Sequence, residues 1–514
     1  MGYDVIVIGA GHNGLTCATS LAKAGREVLV IEQRDVIGGL AAGESFWPGH
    51  RHTGLLHDTS GVRHSVVEML DLEAHGLKLL GAAPPVFVPQ EGGPGLLLHR
   101  DPEAARAEIN AHSPRDAQSY VEWRAFLEKL EPVVARLVNS TPIDLAGEQM
   151  GSLTKMAQTG LAVRNLGPET LMEALRIAPM CAGDWLREYF ETEPLMAALA
   201  SRSVAPGKWL GPRSGGSNAN LLLHECSAQP GVEGGPAALV VALESAARAS
   251  GVHFRCGERV EKIRVAGEIV VGVTLESGEE IDADDVAASC DPRTTLLDLV
   301  DARVAGVALR EEAKVWRGRG SSAKVHLAIS GRLDFAGRPG EDFEHICVGE
   351  SLDDIEKAFD PIKYGEIPAR PHLDVRVPSL RDPTLAPEGH HVVSILAHFV
   401  PFHLSGGWGE AQRERLGEIV VEALERCAPG LSELVVGREV LTPVDLSQRY
   451  GLVEGHLFHG EHALDQLLFM RPGNLCSQYS TPIDGLFLCG SGSHPGGGIT
   501  CAPGALAASA LLKG

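Results

Sequence analysis

Three groups of residues in this 514-residue chain carry chemistry in their types and spacing. The first is Gly9-Ala10-Gly11-His12-Asn13-Gly14, a G-x-G-x-x-G run, followed by an acid, Glu32, and the pair Gly38-Gly39. Gly9 permits a tight turn, Gly11 lets the backbone approach a pyrophosphate, and Gly14 lets a helix pack closely on a sheet. An acid at the end of the next strand hydrogen-bonds a ribose diol, so together these residues describe a dinucleotide site. The second group is Gly490-Ser491-Gly492-Ser493-His494-Pro495-Gly496-Gly497-Gly498-Ile499, a glycine-rich turn before an alanine-rich stretch, Pro503 to Leu512. A helix N-terminus behind such a turn offers free N–H groups and a positive dipole end to an anion. The third group holds candidates for proton transfer. His456, His459 and Glu461 fall close together. Lys324 and His326 alternate with Val325 and Leu327. His57 and Asp58 lie in a stretch that also carries His50, His52 and His64. Those histidines are irregularly spaced and no cysteine or acid cluster accompanies them, so no metal is expected.

The elements that must position these groups follow from pattern. Val5-Ile6-Val7-Ile8 reads as a strand, Leu15 to Ala24 as a helix closed by Gly25, and Val28-Leu29-Val30-Ile31 as a strand running into Glu32. This strand, turn, helix, strand and acid is the context the glycine fingerprint requires. From Val66 to about Met150 the pattern is mostly helical. Ser113 and Pro114 mark one helix start. The stripe Tyr120, Trp123, Phe126, Leu127 and Leu130 is either core or the lining of an apolar tunnel. Gly211 to Ser217 does not follow an apolar strand and is not a phosphate loop. A helix from Ala238 to Ala249 leads into strands at Val252–Arg255 and Arg259–Ile263. A hairpin at 270–275 and 278–283 follows, then a strand at Val286–Cys290. Residues 300 to 440 alternate strand-like runs (Lys324 to Ile329, His372 to Val377, His390 to His398) with charged helices, a substrate-domain sheet. Lys324 and His326 share one face of their strand, towards solvent or a cavity.

Composition excludes several classes. The length calls for two domains, and 44% apolar residues can fill their cores. The formal net charge of −22 argues against nucleic acid and against electrostatic docking on an anionic bilayer, leaving hydrophobic docking open. The ten cysteines include no C-x-x-C, which reads as reduced thiols of a cytoplasmic protein and removes the redox pair of disulfide reductases. No signal peptide precedes the first strand and no run is long and apolar enough to span a bilayer.

The chain resembles the phytoene desaturase-like, or carotenoid dehydrogenase-like, flavoproteins, some of which are named pyridine nucleotide-disulfide oxidoreductase domain-containing proteins. The likeness is carried by Gly9 to Leu15, Gly38-Gly39, Asp291-Pro292-Arg293-Thr294 and Gly485 to Gly498. It implies an α/β fold: a Rossmann-like FAD-binding domain of the glutathione-reductase superfamily type with an inserted α+β substrate domain. The FAD domain would take residues 1–75, 230–300 and 471–514, and the substrate domain 76–229 and 301–470. By position, FAD contacts would fall on Gly9, Ala10, Gly11, Asn13, Gly14, Glu32, Gln33, Arg34, Gly39, Leu40, Val260, Gly490, Ser491 and Ile499. The expected reaction removes a hydride and a proton from C–H bonds of a small apolar substrate and leaves a double bond. His459 is the first candidate base, with Lys324 and His57 behind it. With one dinucleotide fingerprint, no NAD(P)H domain is expected, and electrons leave to oxygen, a quinone or another acceptor. A homodimer and a peripheral membrane contact stay open. The alternatives are an amine or amino-acid oxidase, a saturase or isomerase working with reduced FAD, and a non-catalytic FAD-bound partner protein. An aromatic cage would favour the amine oxidase, and Phe, Trp and Tyr total only 5%.

Overall fold

Unbroken apolar runs belong in strands covered on both faces, and that is where Val5–Ile8 and Val28–Ile31 lie. In the computed structural model, which describes residues 2–143, 150–204 and 206–513, Tyr3–Ile8 sits between Val28–Glu32 and Glu280–Ala288. His253–Cys256 continues the sheet beyond Val28–Glu32, and all these neighbours run parallel. Leu486–Leu488, from the far end of the chain, adds a parallel strand on the other flank of Glu280–Ala288.

Glu280–Ala288 joins what the sequence presented as two elements. Its first half pairs antiparallel with Ile269–Leu275, as the hairpin pattern predicts. Its second half runs parallel to Tyr3–Ile8. Burial changes along it accordingly, from alternating to fully buried at Val286, Ala287 and Ala288.

The second sheet has the order Val435–Leu441, Ser322–Ser330, His390–His398, Leu373–Arg376, His345–Val348, Val86–Gln90, Gly93–Leu98. The last two strands correct the helical reading of residues 66 to 150, of which 144–149 lie outside the described residues. Val86-Phe87-Val88 is a short β-prone run, and Gly92 at φ +77 turns the chain back. In Ser322–Ser330, Val325, Leu327 and Ile329 face the sheet's core. Lys324 and His326 take the opposite face, and both are 0% exposed. Their face is therefore interior, not solvent.

The aromatic stripe is core. Trp123 packs 5.7 Å from Trp185 and 6.0 Å from Phe190, with Leu127 and Leu130 in the same cluster. The helix that carries it begins as its sequence predicts, with Ser113 Oγ accepting from Asp116 N at 3.2 Å and Pro114 in the first turn. The ten cysteines are free, and among the described residues no helix is long and apolar enough to cross a membrane.

The helix His12–Lys23 starts against the first strand with no room to spare. A Cβ on Gly14 would lie 2.0 Å from the carbonyl oxygen of Gly9, which backbone cannot yield without moving the turn. Overpacking of this kind costs on the order of 1–3 kcal/mol. The variant Gly14→Ala is expected to melt several degrees lower and to lose bound dinucleotide on purification. Thermal denaturation and the absorbance spectrum of the purified protein check this.

Candidate active site

A cavity of about 250 Å3 opens where the strands Tyr3–Ile8, Val28–Glu32 and Glu280–Ala288 end, the place where open α/β sheets bind ligands. Gly9, Gly11, Asn13, Glu32, Gln33, Arg34, Gly39, Leu40, Val260 and Ser491 line it. Ala10 and Gly14 stand behind this lining. Ala10 N donates to Glu32 Oε2 at 2.8 Å, and Arg34 N donates to Oε1 at 2.9 Å, so the acid is aimed by backbone. Gly490 packs behind Ser491, where a Cβ would come 2.5 Å from Ser289 O. Ile499 lies in a different cavity, described below.

The residues present fit a bound dinucleotide. A Cβ on Gly11 would meet no protein atom within 4 Å, so the floor beside it is open. Three polar atoms of the lining residues are buried without a partner: His12 Nε2, Asn13 Oδ1 and Asp291 Oδ2. Buried polar atoms are seldom left so unless something else binds them. Asp291 was not among the expected contacts. Its Oδ1 accepts from Arg293 N at 2.8 Å, and burial pushes its carboxyl up to about 7. Arg34 closes one side of the cavity, 4.5 Å over the Tyr450 ring and paired with Glu44 at 2.7 Å.

The stretch from His456 to Glu461 is neither an exposed loop nor an acid/base cluster. His456 Nδ1 accepts from Phe458 N at 3.1 Å and Gly460 N at 3.2 Å. Glu461 pairs with Arg319 at 2.6 Å. His459 lines the dinucleotide cavity, and burial pushes its ring down to about 3. Arg471, 0% exposed, fixes the stretch. Its guanidinium donates to Glu461 O at 2.9 Å, Phe458 O at 3.1 Å and, across to the tail, Ser491 O at 2.9 Å. Asn13 Nδ2 reaches the same tail, donating to Ser491 Oγ at 3.1 Å.

A second cavity, about 150 Å3, is walled by the tail turn Gly496-Gly497-Gly498-Ile499-Thr500. Leu56, Val138, Leu396 and Phe458 supply apolar lining, and His57, Asp58 and Asp374 polar lining. His57, Asp58, Arg202, His224 and Asp374 also line a cleft of about 160 Å3 that reaches the exposed Arg381, so the two form one path inward.

Behind His57 stands a chain of titratable groups. Lys324 Nζ is 3.1 Å from His57 Nδ1. His57 Nε2 is 3.4 Å from Asp374 Oδ2, and Asp374 Oδ1 is 3.0 Å from His345 Nε2. Burial pushes Lys324 down to about 7. Burial, and then Lys324 beside it, pushes His57 down to about 3, so the ring is neutral. Burial opposes ionisation of Asp374, yet the His57 and His345 rings hold its carboxyl well below the usual range. The structure thus brings Lys324 and His57 together and leaves His459 apart from them. Asp374 escaped the sequence reading, although Asp374 and Arg376 alternate with Val375 and Val377 just as Lys324 and His326 alternate with Val325 and Leu327.

His52, His326 and Glu439 are the one group among the described residues whose ligating atoms lie within 4.8 Å of one another. The two rings stack face to face, 4.2 Å apart and 7° from parallel. In-plane lone pairs on parallel rings do not converge on one ion.

Residues 14–510 match the flavin containing amine oxidoreductase family. The chain belongs to that family. It is 34% identical to the rat protein called pyridine nucleotide-disulfide oxidoreductase domain-containing protein 2, over 99% of this chain and 93% of that one. One of the two-part names among its relatives is a limonene dehydrogenase chain of Castellaniella defragrans, 27% identical over 99% of this chain and 94% of its own. A lycopene-forming phytoene desaturase of Pantoea ananas is 26% identical, covering 98% of each. Among solved structures, an oxidoreductase of Methanosarcina mazei superposes with a TM-score of 0.61 at 18% identity, covering 99% of this chain and 100% of that one. The protein is an FAD-dependent oxidoreductase of the phytoene desaturase-like kind, and the dinucleotide cavity holds the residues that fit FAD.

Lys324 gives a test of this interior. Its folded pKa of about 7 lies below the model-compound value of 10.5. The folded state therefore binds fewer protons than the unfolded one between those limits. The destabilisation is full below pH 7 and fades as pH rises towards 10.5. Lys324→Met is expected to raise the melting temperature at pH 7 and below, with the gain shrinking steadily up to pH 10. Thermal melts of both proteins across that range check it.

Proposed function

We propose that this oxidoreductase forms a carbon–carbon double bond in an apolar, lipid-like substrate such as a polyene or isoprenoid. The observation that carries the reading is the cavity beside the tail turn, with aliphatic walls and the His57–Lys324 pair at its edge. The relatives named limonene dehydrogenase and phytoene desaturase support the substrate class. A glutathione-reductase-type arrangement of the FAD domain is part of the proposal, supported by the parallel strand order around Tyr3–Ile8.

Bound FAD supplies the two-electron acceptor for the substrate C–H. The chain supplies the rest. Leu56, Val138, Leu396 and Phe458 shape an apolar berth. His57 lies between that berth and the Lys324 amine, and a proton released there reaches the amine by way of the ring. At pH 7 the amine is about half unprotonated, as a pKa of about 7 requires, and so has the capacity to hold that proton. His459, in the dinucleotide cavity, takes no part in this step. The acceptor that reoxidises FAD is oxygen or a quinone.

The amine-oxidase reading asks for an aromatic cage. Phe458 is the only Phe, Tyr or Trp among the described residues lining the cavity, which favours the apolar substrate.

The test is the visible spectrum of the anaerobic protein before and after adding a polyene or lipid extract. Bleaching of the flavin bands is expected, with product analysis locating the new double bond. Its rate should rise with pH to about 7 and level off above. Lys324→Met should slow it about 100-fold or more, the scale of general-base catalysis, and remove the rise. Bleaching by primary amines and not by polyenes would overturn the proposal. Turnover without net oxidation, requiring prior reduction, would replace it with saturase or isomerase chemistry.

A further inference from the structure

The cavity beside the tail turn holds more positive charge than it neutralises. Arg63 and Lys208 both line it, and they are 8% and 7% exposed. Burying a cation is costly unless a carboxylate or other anion pairs with it. Among the described residues neither has such a partner. Arg63 Nη1 donates to a carbonyl, Ser227 O, at 3.1 Å, and its Nε has no acceptor. Lys208 Nζ has three donors and gives one of them to a carbonyl, Arg202 O, at 3.0 Å.

The neighbouring acids are engaged elsewhere. Arg202, the third cation of the lining, pairs with the buried Glu225, which also takes Arg124 at 2.8 Å. Asp374 lies against His57, His345 and Arg376. Asp58 faces the same space and accepts from Ser60 N at 2.9 Å. It is one carboxylate for two cations.

We propose that the substrate carries an anionic head, a carboxylate or phosphate, bound by Lys208 and Arg63, with its apolar chain along Leu56, Leu396 and Phe458. This deepens the function proposed above and rests on reading that cavity as the substrate site. It sets the substrate apart from a plain hydrocarbon and from an amine, whose ammonium would meet two unpaired cations. Burial alone brings the Lys208 amine down to about 7. An anion beside it restores the charged form, so binding above pH 7 takes up a proton.

The test uses the FAD-loaded protein and probes of one chain length: octanoate, octyl phosphate, octan-1-ol and octylamine. Binding is read by titration calorimetry and by perturbation of the flavin spectrum. Octanoate or octyl phosphate is expected to bind at least ten-fold tighter than the alcohol and the amine, and the tighter of the two names the head. In buffers of differing ionisation enthalpy, that binding should show proton uptake at pH 8. Lys208→Met and Arg63→Met should each lose about ten-fold or more in affinity for the anion, with the alcohol unchanged. Lys208→Arg should retain the preference, which separates loss of charge from loss of fold. Equal binding of all four probes, or tighter binding of octylamine, would overturn the inference. So would an Arg63→Met protein with an altered flavin spectrum but the same anion preference. The two proposals fail separately. Anion-selective binding with no flavin reduction by any lipid would leave the head site standing without the desaturation. Reduction by a neutral polyene with no anion preference would do the reverse.

Discussion

A buried guanidinium holds the two ends of the site together. Arg471 has no exposed surface and no carboxylate in hydrogen-bond contact among the described residues, and it spends its donors on carbonyl oxygens of two segments. One segment is the stretch Phe458 to Gln466, and the other is the glycine-rich tail at Ser491. Five carbonyls accept from it: Glu461, Gln466, Phe458, Gly460 and Ser491. A charged donor shared among neutral carbonyls gives bonds stronger than neutral pairs, and it leaves the ring of polar atoms around the dinucleotide cavity with fixed positions. Asn13 on the first helix joins the same tail through Ser491. The glycine fingerprint and the tail turn are far apart in sequence, and these contacts make them opposite walls of one site.

Much of this was legible beforehand because the relevant signals are local. The fingerprint, Glu32 and the tail turn report backbone conformations that only certain residues allow, and the strand and helix periods are read within a few residues. What escaped depends on distance through space. The hairpin Val86–Gln90 and Gly93–Leu98 is flanked by helices, and its strand character comes from pairing with His345–Val348. Asp291 was visible as part of a motif, but nothing local says that one of its oxygens is left without a partner. Lys208 lies in a loop with no periodicity, and only the folded chain places it beside the tail turn. The histidines of the 456–462 stretch looked like chemistry because of their type. Their ring nitrogens turn out to serve the backbone, as His456 does for Phe458 and Gly460 and His462 for Gly497.

The interior of this protein is unusual in how many ionisable groups it keeps neutral. His12, His57, His456 and His459 are all pushed down by burial, and Lys208 and Lys324 are brought to about 7 by the same cause. An oxidoreductase gains from this arrangement. Neutral imidazoles line space without the solvation that charge demands, and an amine near neutrality holds or releases a proton at little cost. The lysines stand where the two proposed tasks differ: Lys324 behind His57, Lys208 in the open lining.

The strand Glu280–Ala288 belongs to a local meander in its first half and to a long-range parallel sheet in its second. Its two halves therefore mature on different clocks. The meander closes on Ile269–Leu275 as soon as both strands exist, a short loop with little entropy to overcome. The parallel half waits: one neighbour, Tyr3–Ile8, was made long before, and the other, Leu486–Leu488, comes long after. Non-local parallel pairing is slow for the same reason. During synthesis the strand's buried end, Val286-Ala287-Ala288, is an open edge until the tail arrives. FAD capture is thus a late event in the life of each chain, and the nascent protein depends on protection of that edge in the interval.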